Sequence, residues 1–498
     1  MKVLNKISKL LLILSALIIT ASCAKEVAER EQKMYEKAEI ISYGFYQVDN
    51  PGKITRDYIF SNLKQGSVVL QLPAEIEKEA LIARFTVTQG ATLTLNGVPQ
   101  ISGVTVNNYT IPNDFIVSNS GNNVRFTMTI DKAPDYVFTR ATPFISDQII
   151  DVVMKLNPIT GNPSIAYKVD RVETTVEKLA MAELVNGEWK VLGDANGFTE
   201  GRVTNHDLVY DSQGSPYVVY ADYTAAVPQG ASVMTYKNGS WVYAGIKGIT
   251  PFVASYNVIS LLDEKPIIFS MNNTNGADKR AMIYSTFDGS VWTTNQKITG
   301  RAAPGGVPMG TNSYYPVVKK FNNDLYLYIF NAGGTQSFSI YKYSGGVWST
   351  IVEQYIDAGA TTSYMTQNDM EIDKHGNIYV TSVDNATGSY RMKVKKYDAA
   401  TSTWSTFGDL ISTSQYSRAT DLSISPLGTI YLAYHNDLKQ PVVTYYDKET
   451  RNWTTPVVLE NAESSDIYLE FMQNGTGYAG YLNTSKNFVM FKYDTPQN

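Results

Sequence analysis

The chain has 498 residues, 43% of them hydrophobic and 18% charged, with a formal net charge of −5 and one cysteine. This length exceeds a single small core, and the composition argues against intrinsic disorder and, through its acid excess, against nucleic acid as a partner. Thirty-five tyrosines, with abundant Thr, Val and Ile, suit half-buried strands better than helices.

Residues 1–22 read as a secretion signal. Lys2, Lys6 and Lys9 give a positive start, and the apolar run from Leu10 to Thr20 is too short for a stable spanning helix. Ala21 and Ser22 then precede Cys23, the lone cysteine. Thr20-Ala21-Ser22-Cys23 resembles a bacterial lipobox, with Thr20 where that motif usually has Leu; the resemblance implies diacylglyceryl transfer to the Cys23 thiol. Removing the signal takes away three lysines and no acid, moving the formal charge from −5 to −8. With no polybasic patch, membrane attachment would rest on the acyl chains, at about 0.8 kcal/mol per buried CH₂.

Residues 23–38 form a charged, helix-prone tether without a wide apolar stripe. Lys25-Glu26 resembles the acidic surface-export signal of Bacteroidetes lipoproteins, which implies an outer-membrane protein facing the cell surface rather than the periplasm. From 39 to 133, alternating runs such as SVVLQL (67–72), LIARFTVT (81–88), DFIVSN (114–119) and VRFTMTI (124–130) predict strands separated by turn residues, Asn96-Gly97 among them. That pattern suggests an immunoglobulin-like (Ig-like) β-sandwich and resembles the N-terminal spacer modules of Bacteroidetes surface lipoproteins.

The strongest signal follows. Trp189, Trp241, Trp292, Trp348, Trp404 and Trp453 recur at intervals of 49 to 56 residues. They close the segments LVNGEW, YKNGSW, FDGSVW, YSGGVW, YDAATSTW and YDKETRNW. An aromatic, a turn and a Trp describe a hairpin, and the two longer turns add two residues, which keeps every side chain on its face. A second marker, DSQGSPY (211–217), DKHGNIY (373–379) and SPLGTIY (425–431), predicts a hairpin earlier in each repeat. Four strands per repeat is the content of a propeller blade. A seventh repeat lacks its last strand, and residues 136–146 can supply it, with Phe138 in place of the Trp. The expected fold is therefore all-β: a small sandwich followed by a seven-bladed β-propeller over 136–498, with six blades as the alternative. Ser285 to Trp292 resembles the Asp-box hairpin of sialidase-type propellers, and the repeat as a whole is similar to sialidase and kelch propellers. The Ser-to-Asp spacing departs by one residue and no arginine has the sialidase context, which puts that activity in doubt.

The stretches before each inner strand share one face of the ring, where loops on a rigid scaffold carry function. They supply Arg202, His206, Tyr256, Tyr314, Tyr315, Tyr364, Tyr416 and Arg418, and the same face takes His435. Aromatic rings among hydrogen-bonding groups suit a sugar. Asp207, Asp369 and Asp421 read as braces for their own loops. No metal-ligand, nucleophile-elbow or phosphate-loop motif is present, so neither metal nor cofactor is expected. The expected function is a lipid-anchored, non-catalytic glycan-binding protein. The alternatives are a protein–protein adhesion or assembly module, and a carbohydrate-active enzyme, because paired carboxylates assembled by a fold leave no local motif.

Overall fold

The computed structural model describes Lys25 and residues 37–61, 63–144, 149–169, 177–223, 229–298, 312–332, 336–358, 368–384, 391–413 and 419–496. The signal, Cys23 and nearly all of the tether lie outside these residues, as do Tyr364, Tyr416 and Arg418. From residue 37 onward the described chain is strands and turns. It divides into two compact units, one running to Asp135 and the other from Tyr136 to Thr495.

The first unit holds two sheets. Ile40–Phe45 pairs with Tyr58–Ser61 and Leu81–Val87, and Asn122–Lys132 pairs with Asn113–Asn119 and, in parallel, with Gly66–Leu72. The last strand shows the two-residue period plainly: Val68, Leu70 and Leu72 are buried while Ser67, Val69 and Gln71 face water. The sheets meet at Tyr43, whose ring lies 6.2 Å from Phe85 and 5.9 Å from Phe115 and whose hydroxyl is 2.6 Å from that of Tyr109. This unit starts before residue 39, since the Lys37 carbonyl accepts from Thr88 Oγ1 and Asn119 Nδ2.

The second unit is an all-β propeller. Six four-stranded sheets follow in chain order with inner strands Ile149–Leu156, Val203–Tyr210, Ala254–Leu262, Ser313–Phe321, Met370–Ile372 and Thr420–Ile424; the sixth carries an extra short strand, Val457–Val458. A seventh is assembled from Ser464–Phe471, Gly477–Asn483, Phe488–Asp494 and, from the other end of the unit, Val137–Arg140. These sheets are called blades 1 to 7. Each inner strand touches the next, and the inner strand of blade 7 touches that of blade 1. Among the described residues the ring is closed.

Each Trp is the first or second residue of an outer strand and stands opposite the aromatic or apolar residue at or next to the end of the third: Leu184↔Trp189, Tyr236↔Trp241, Phe287↔Trp292, Tyr343↔Trp348, Tyr397↔Trp404 and Tyr446↔Trp453. Phe138 takes the equivalent register against Tyr493, with ring centroids 4.5 Å apart. The turns between the two strands are held by side-chain acceptors. Asp288 Oδ1, for example, accepts from the amides of Ser290 and Val291, an Asx turn of the ordinary kind.

The indoles also tie blade to blade. Trp241, Trp292 and Trp453 donate through Nε1 to the carbonyls of Leu192, Ala244 and Phe407, which lie in or just after the outer strand of the preceding blade. In all three cases the accepting residue is followed by glycine in the left-handed region: Gly193, Gly245 and Gly408. A Cβ on any of them would come within 3.0 Å of the next blade's indole, so only glycine admits the ring. Blades 3 and 4 have Gln296 and Val352 at that position. Correspondingly, the Nε1 atoms of Trp348 and Trp404 are buried without a partner. Trp-x-x-x-Gly is thus an inter-blade latch present in three repeats.

Trp292 and Trp348 are almost equally buried, at 7% and 5% exposure, yet only Trp292 is bonded. Trp292→Phe should therefore destabilise the protein by about 1 kcal/mol more than Trp348→Phe, because the first strands the Ala244 carbonyl and the second removes an orphan donor. Urea unfolding of the two variants measures the difference; equal losses would mean that the latch contributes nothing.

Candidate functional site

An inner strand is a sheet edge, and its outward amides need acceptors. Carboxylates supply them across the blade boundaries. Asp207 Oδ2 accepts from the Ile259 amide at 3.0 Å, Asp369 Oδ2 from Leu422 at 2.9 Å, Asp421 Oδ2 from Leu469 at 2.7 Å and Glu470 Oε2 from Leu156 at 3.0 Å. The recurring aspartates therefore brace the next blade's inner strand, and Asp207 also keeps the local role the sequence suggests, accepting from the Leu208 amide through Oδ1 at 2.9 Å. The offset of about fifty residues between acid and amide is a tertiary relation that local pattern does not display.

The same layer carries two lysines. Lys155 Nζ lies 2.5 Å from Glu470 Oε1, and Lys319 sits 3.7 Å from Asp369 and in contact with Glu371. Burial disfavours the Lys155 charge, but Glu470 and Asp421 outweigh it and hold its pKa above the ordinary value. Lys319 is raised in the same way, against burial, by Asp369, Glu371 and Asp421. Burial pushes Asp207 up, and burial together with Asp369 pushes Asp421 up. Blades 1, 2, 4, 5, 6 and 7 all contribute charged side chains to this network, which runs along the inner strands.

At the end where the inner strands begin, the pairing slips. Register shifts occur at Ile149/Val152, Thr204/Asp207, Ser255/Val258, Tyr314/Val317 and Ser465/Ile467. Within four of these bulges a non-glycine residue is left-handed: Asn205 (φ 51°), Tyr256 (50°), Tyr315 (45°) and Asp466 (46°). Bulges of this kind re-aim side chains, and bulky residues with positive φ mark strain that the surrounding fold has to hold.

Two walls result. On blades 3 and 4 the Tyr256 ring stands 4.9 Å from Tyr315 and 5.3 Å from Tyr314, with the Arg280 guanidinium 6.0 Å over Tyr314. Burial and the neighbouring Tyr315 hydroxyl push the Tyr256 phenol up, so it is a neutral donor. Half-way round the ring, on blades 7, 1 and 2, Asp466 and Asp151 face each other's charge beside Lys168, His206 and Tyr468. Burial and Asp151 raise Asp466 to about 7. Lys168 Nζ is 3.4 Å from Asp151 Oδ2 and 3.5 Å from Glu177, which also lies 3.7 Å from Arg202 Nε.

Tyr256, Tyr314 and Tyr315 are thus brought together and Arg202 lies on the opposite wall, whereas His206, expected on the ligand face, is buried behind that wall with its side chain 1% exposed. His435 turns inward: it is 4% exposed, its Nε2 is 3.0 Å from Ser464 Oγ, and burial lowers its pKa to about 4. It is a structural link between blades 6 and 7 and presents no surface to a ligand. Asp151 and Asp466 escaped the sequence reading. Their only local signal is an acid a few residues before the brace position of an inner strand, which becomes legible once the ring places blade 7 beside blade 1. Among the described residues no group of three His, Cys, Asp or Glu is arranged to hold a metal ion.

The acid wall makes a checkable statement about pH. A carboxyl raised from 3.8 to about 7 on folding binds its proton more tightly in the native state, so its contribution to stability declines as pH climbs from about 4 through 7. Asp466→Asn removes that loss. The variant should match the parent in Tm near pH 4 and exceed it by about 2 °C at pH 8, a modest figure because the carboxyl reaches solvent. A Tm difference that does not vary with pH, read by scanning calorimetry, would contradict the assignment.

No family model matches the sequence, and no curated protein matches it. Among solved structures the chain is similar to the Penicillium chrysogenum alpha-L-arabinanase complexed with arabinobiose, at 12% identity and a TM-score of 0.41, covering 59% of this chain and 93% of that one. It is also similar to a mutant Aleuria aurantia lectin in complex with Fucalpha1-6GlcNAc, at 13% identity and a TM-score of 0.39 over the same shares. A structure from an analysis of two prolyl endopeptidases matches at 14% identity and a TM-score of 0.42, over 70% of this chain and 50% of that one. None of the three reaches a TM-score of 0.5; the propeller assignment rests on the order of the sheets.

Proposed function

We propose that this protein is a lipid-anchored, surface-facing envelope protein that binds a glycan at the inner-strand mouth of its propeller. The carrying observation is the tyrosine wall: Tyr256 and Tyr315, both left-handed within strand bulges, with Tyr314 against them. A sugar offers a C–H face to such rings and hydroxyls to their phenols, while Arg202, Asp151 and the other polar groups of the far wall supply directional hydrogen bonds. Anchoring is carried by the signal, the lone Cys23 and the tether. A first unit with an Ig-like spacer role fits that order of parts.

The soluble fragment 24–498 should bind a subset of glycans on an array. Tyr256→Ala and Tyr315→Ala should each weaken that binding about tenfold, the equivalent of losing one good ring contact, while leaving the unfolding transition in place. Retained affinity in both variants would remove the tyrosines from the site. For the anchor, Cys23→Ser should abolish labelling by a radioactive fatty acid and release the protein from the membrane fraction; undiminished labelling would contradict lipidation at Cys23.

A further inference from the structure

The tyrosine wall carries a cation as well as rings. Arg280 lies in the loop that joins the second and third strands of blade 3, and its backbone is pinned on both sides. Its amide donates to the Asn272 carbonyl at 2.6 Å. Its carbonyl accepts at 2.9 Å from the amide of Ser313, the first residue of blade 4's inner strand. Between these bonds the residue is left-handed, with φ at 66°, a conformation that glycine adopts freely and a side chain with a Cβ does not. Glycine would serve the loop better if the loop's path were all that mattered.

The Arg280 side chain is exposed and lies over the Tyr314 ring, its guanidinium carbon 6.0 Å from the centroid. Tyr314 in turn stands 5.3 Å from Tyr256 and 6.5 Å from Tyr315, so the cation and the three rings form one patch. Tyr256 and Tyr314 are backed by the hydrophobic core between blades 3 and 4, which fixes their positions. Among the described residues Arg280 makes no ion pair and its guanidinium donates no hydrogen bond; Asp278, two residues earlier, is held by Lys297 at 2.7 Å. The neighbouring stretches 224–228, 299–311 and 333–335 contain no Asp or Glu. The far wall differs. There Lys168 lies 3.4 Å from Asp151 and 3.5 Å from Glu177, and Arg202 lies 3.7 Å from Glu177. The cations on that side are already paired, and the one on the tyrosine side is open.

We propose that the glycan bound at this mouth is an anionic one, whose carboxylate or sulfate group pairs with Arg280 while its sugar ring lies against the tyrosines. The inference rests on the glycan reading and names the class of sugar that it takes. A guanidinium offers N–H donors in a rigid planar fork that meets two oxygens of such a group at once. A neutral sugar needs no charge beside the rings, because uncharged donors serve its hydroxyls equally well. The two walls also give the ligand a direction: Asp151 repels an anionic group and accepts from hydroxyls, so the charged end faces blades 3 and 4. The chain as a whole is acidic, but at physiological ionic strength exposed charges more than about 8 Å away are largely screened. The local cation therefore decides what binds.

The test is a glycan array that sets uronic-acid and sulfated oligosaccharides beside their carboxyl-reduced and desulfated counterparts, probed with the soluble 24–498 fragment. The charged member of a bound pair should be preferred at least about tenfold, as expected for one hydrogen-bonded charge pair. That preference should shrink between about 0.05 and about 0.5 M salt. Arg280→Gln should remove it and leave binding of the neutral members unchanged, and Arg280→Lys, which keeps the charge without the fork, should retain part of it. Arg280→Gly should also remove it, with a Tm at or above that of the parent, because glycine relieves the left-handed backbone; the loss is then not one of folding. Preference for the uronic acids identifies a carboxylate, and preference for the sulfated sugars a sulfate; either upholds the inference. Equal binding of charged and neutral members, or a preference that survives Arg280→Gln, overturns it while the glycan reading stands. If the fragment captures no glycan, the glycan reading falls and takes this inference with it.

Discussion

Everything in the second unit depends on one strand finding a distant partner. Val137–Arg140 lies at the start of the unit and pairs with Phe488–Asp494 at its end, so the seventh sheet cannot form until the whole ring has been laid down. The seam is fastened at several radii. At the rim, Phe138 stacks on Tyr493 and Trp189 Nε1 donates to the Thr142 carbonyl; nearer the axis, Tyr468 and Glu470 reach across to Val152 and Leu156. Without this pairing Phe488–Asp494 would be left as an unpaired edge of a three-stranded sheet, and Val137–Arg140 covers it. With no cysteine beyond Cys23, no disulfide staples this seam.

Closure creates the second constraint. Each inner strand ends its sheet, so its outward amides have no further strand to pair with. The protein answers with carboxylates that reach over the blade boundary, and it offsets their charge with Lys155 and Lys319. Such a lattice is held by geometry as much as by Coulomb attraction, because any member left alone would be a desolvated charge. Its consequence for function is positional. The inner strands are braced by carboxylates, three outer strands are latched by tryptophans bonded over glycine, and the bulged strand starts carry side chains that the lattice does not use.

Among the described residues the regular ladder is broken at the start of five inner strands. The bulges turn Tyr256 and Tyr315 to one side and Asp466 to the other, at positions whose backbone angles L-residues rarely adopt. Local propensity opposes these conformations, and only the packing of neighbouring blades sustains them. The division of labour between an aromatic wall and a carboxyl wall follows from which blades carry which residues at that one register position.

How much of this was legible beforehand depends on range. Alternation in Gly66–Leu72, the Asn-Gly and Asp-Gly hairpins, the fifty-residue Trp period and the missing final strand are all local or periodic, so an all-β chain with a last repeat that residues 136–146 can complete is readable from them. Tyr256, Tyr314 and Tyr315 are legible as well, because aromatic residues recur where the inner strands begin, although the structure sets them inside the bulges that open those strands rather than before them. Relations between blades were decided by the tertiary structure alone. The Gly193, Gly245 and Gly408 latches, the direction in which Asp207, Asp369 and Asp421 brace, the inward turn of His435 and the meeting of Asp151 with Asp466 all join residues separated by tens to hundreds of positions. Such pairs have no signature in either partner's neighbourhood, since what selects each residue is the side chain that the closed ring sets against it.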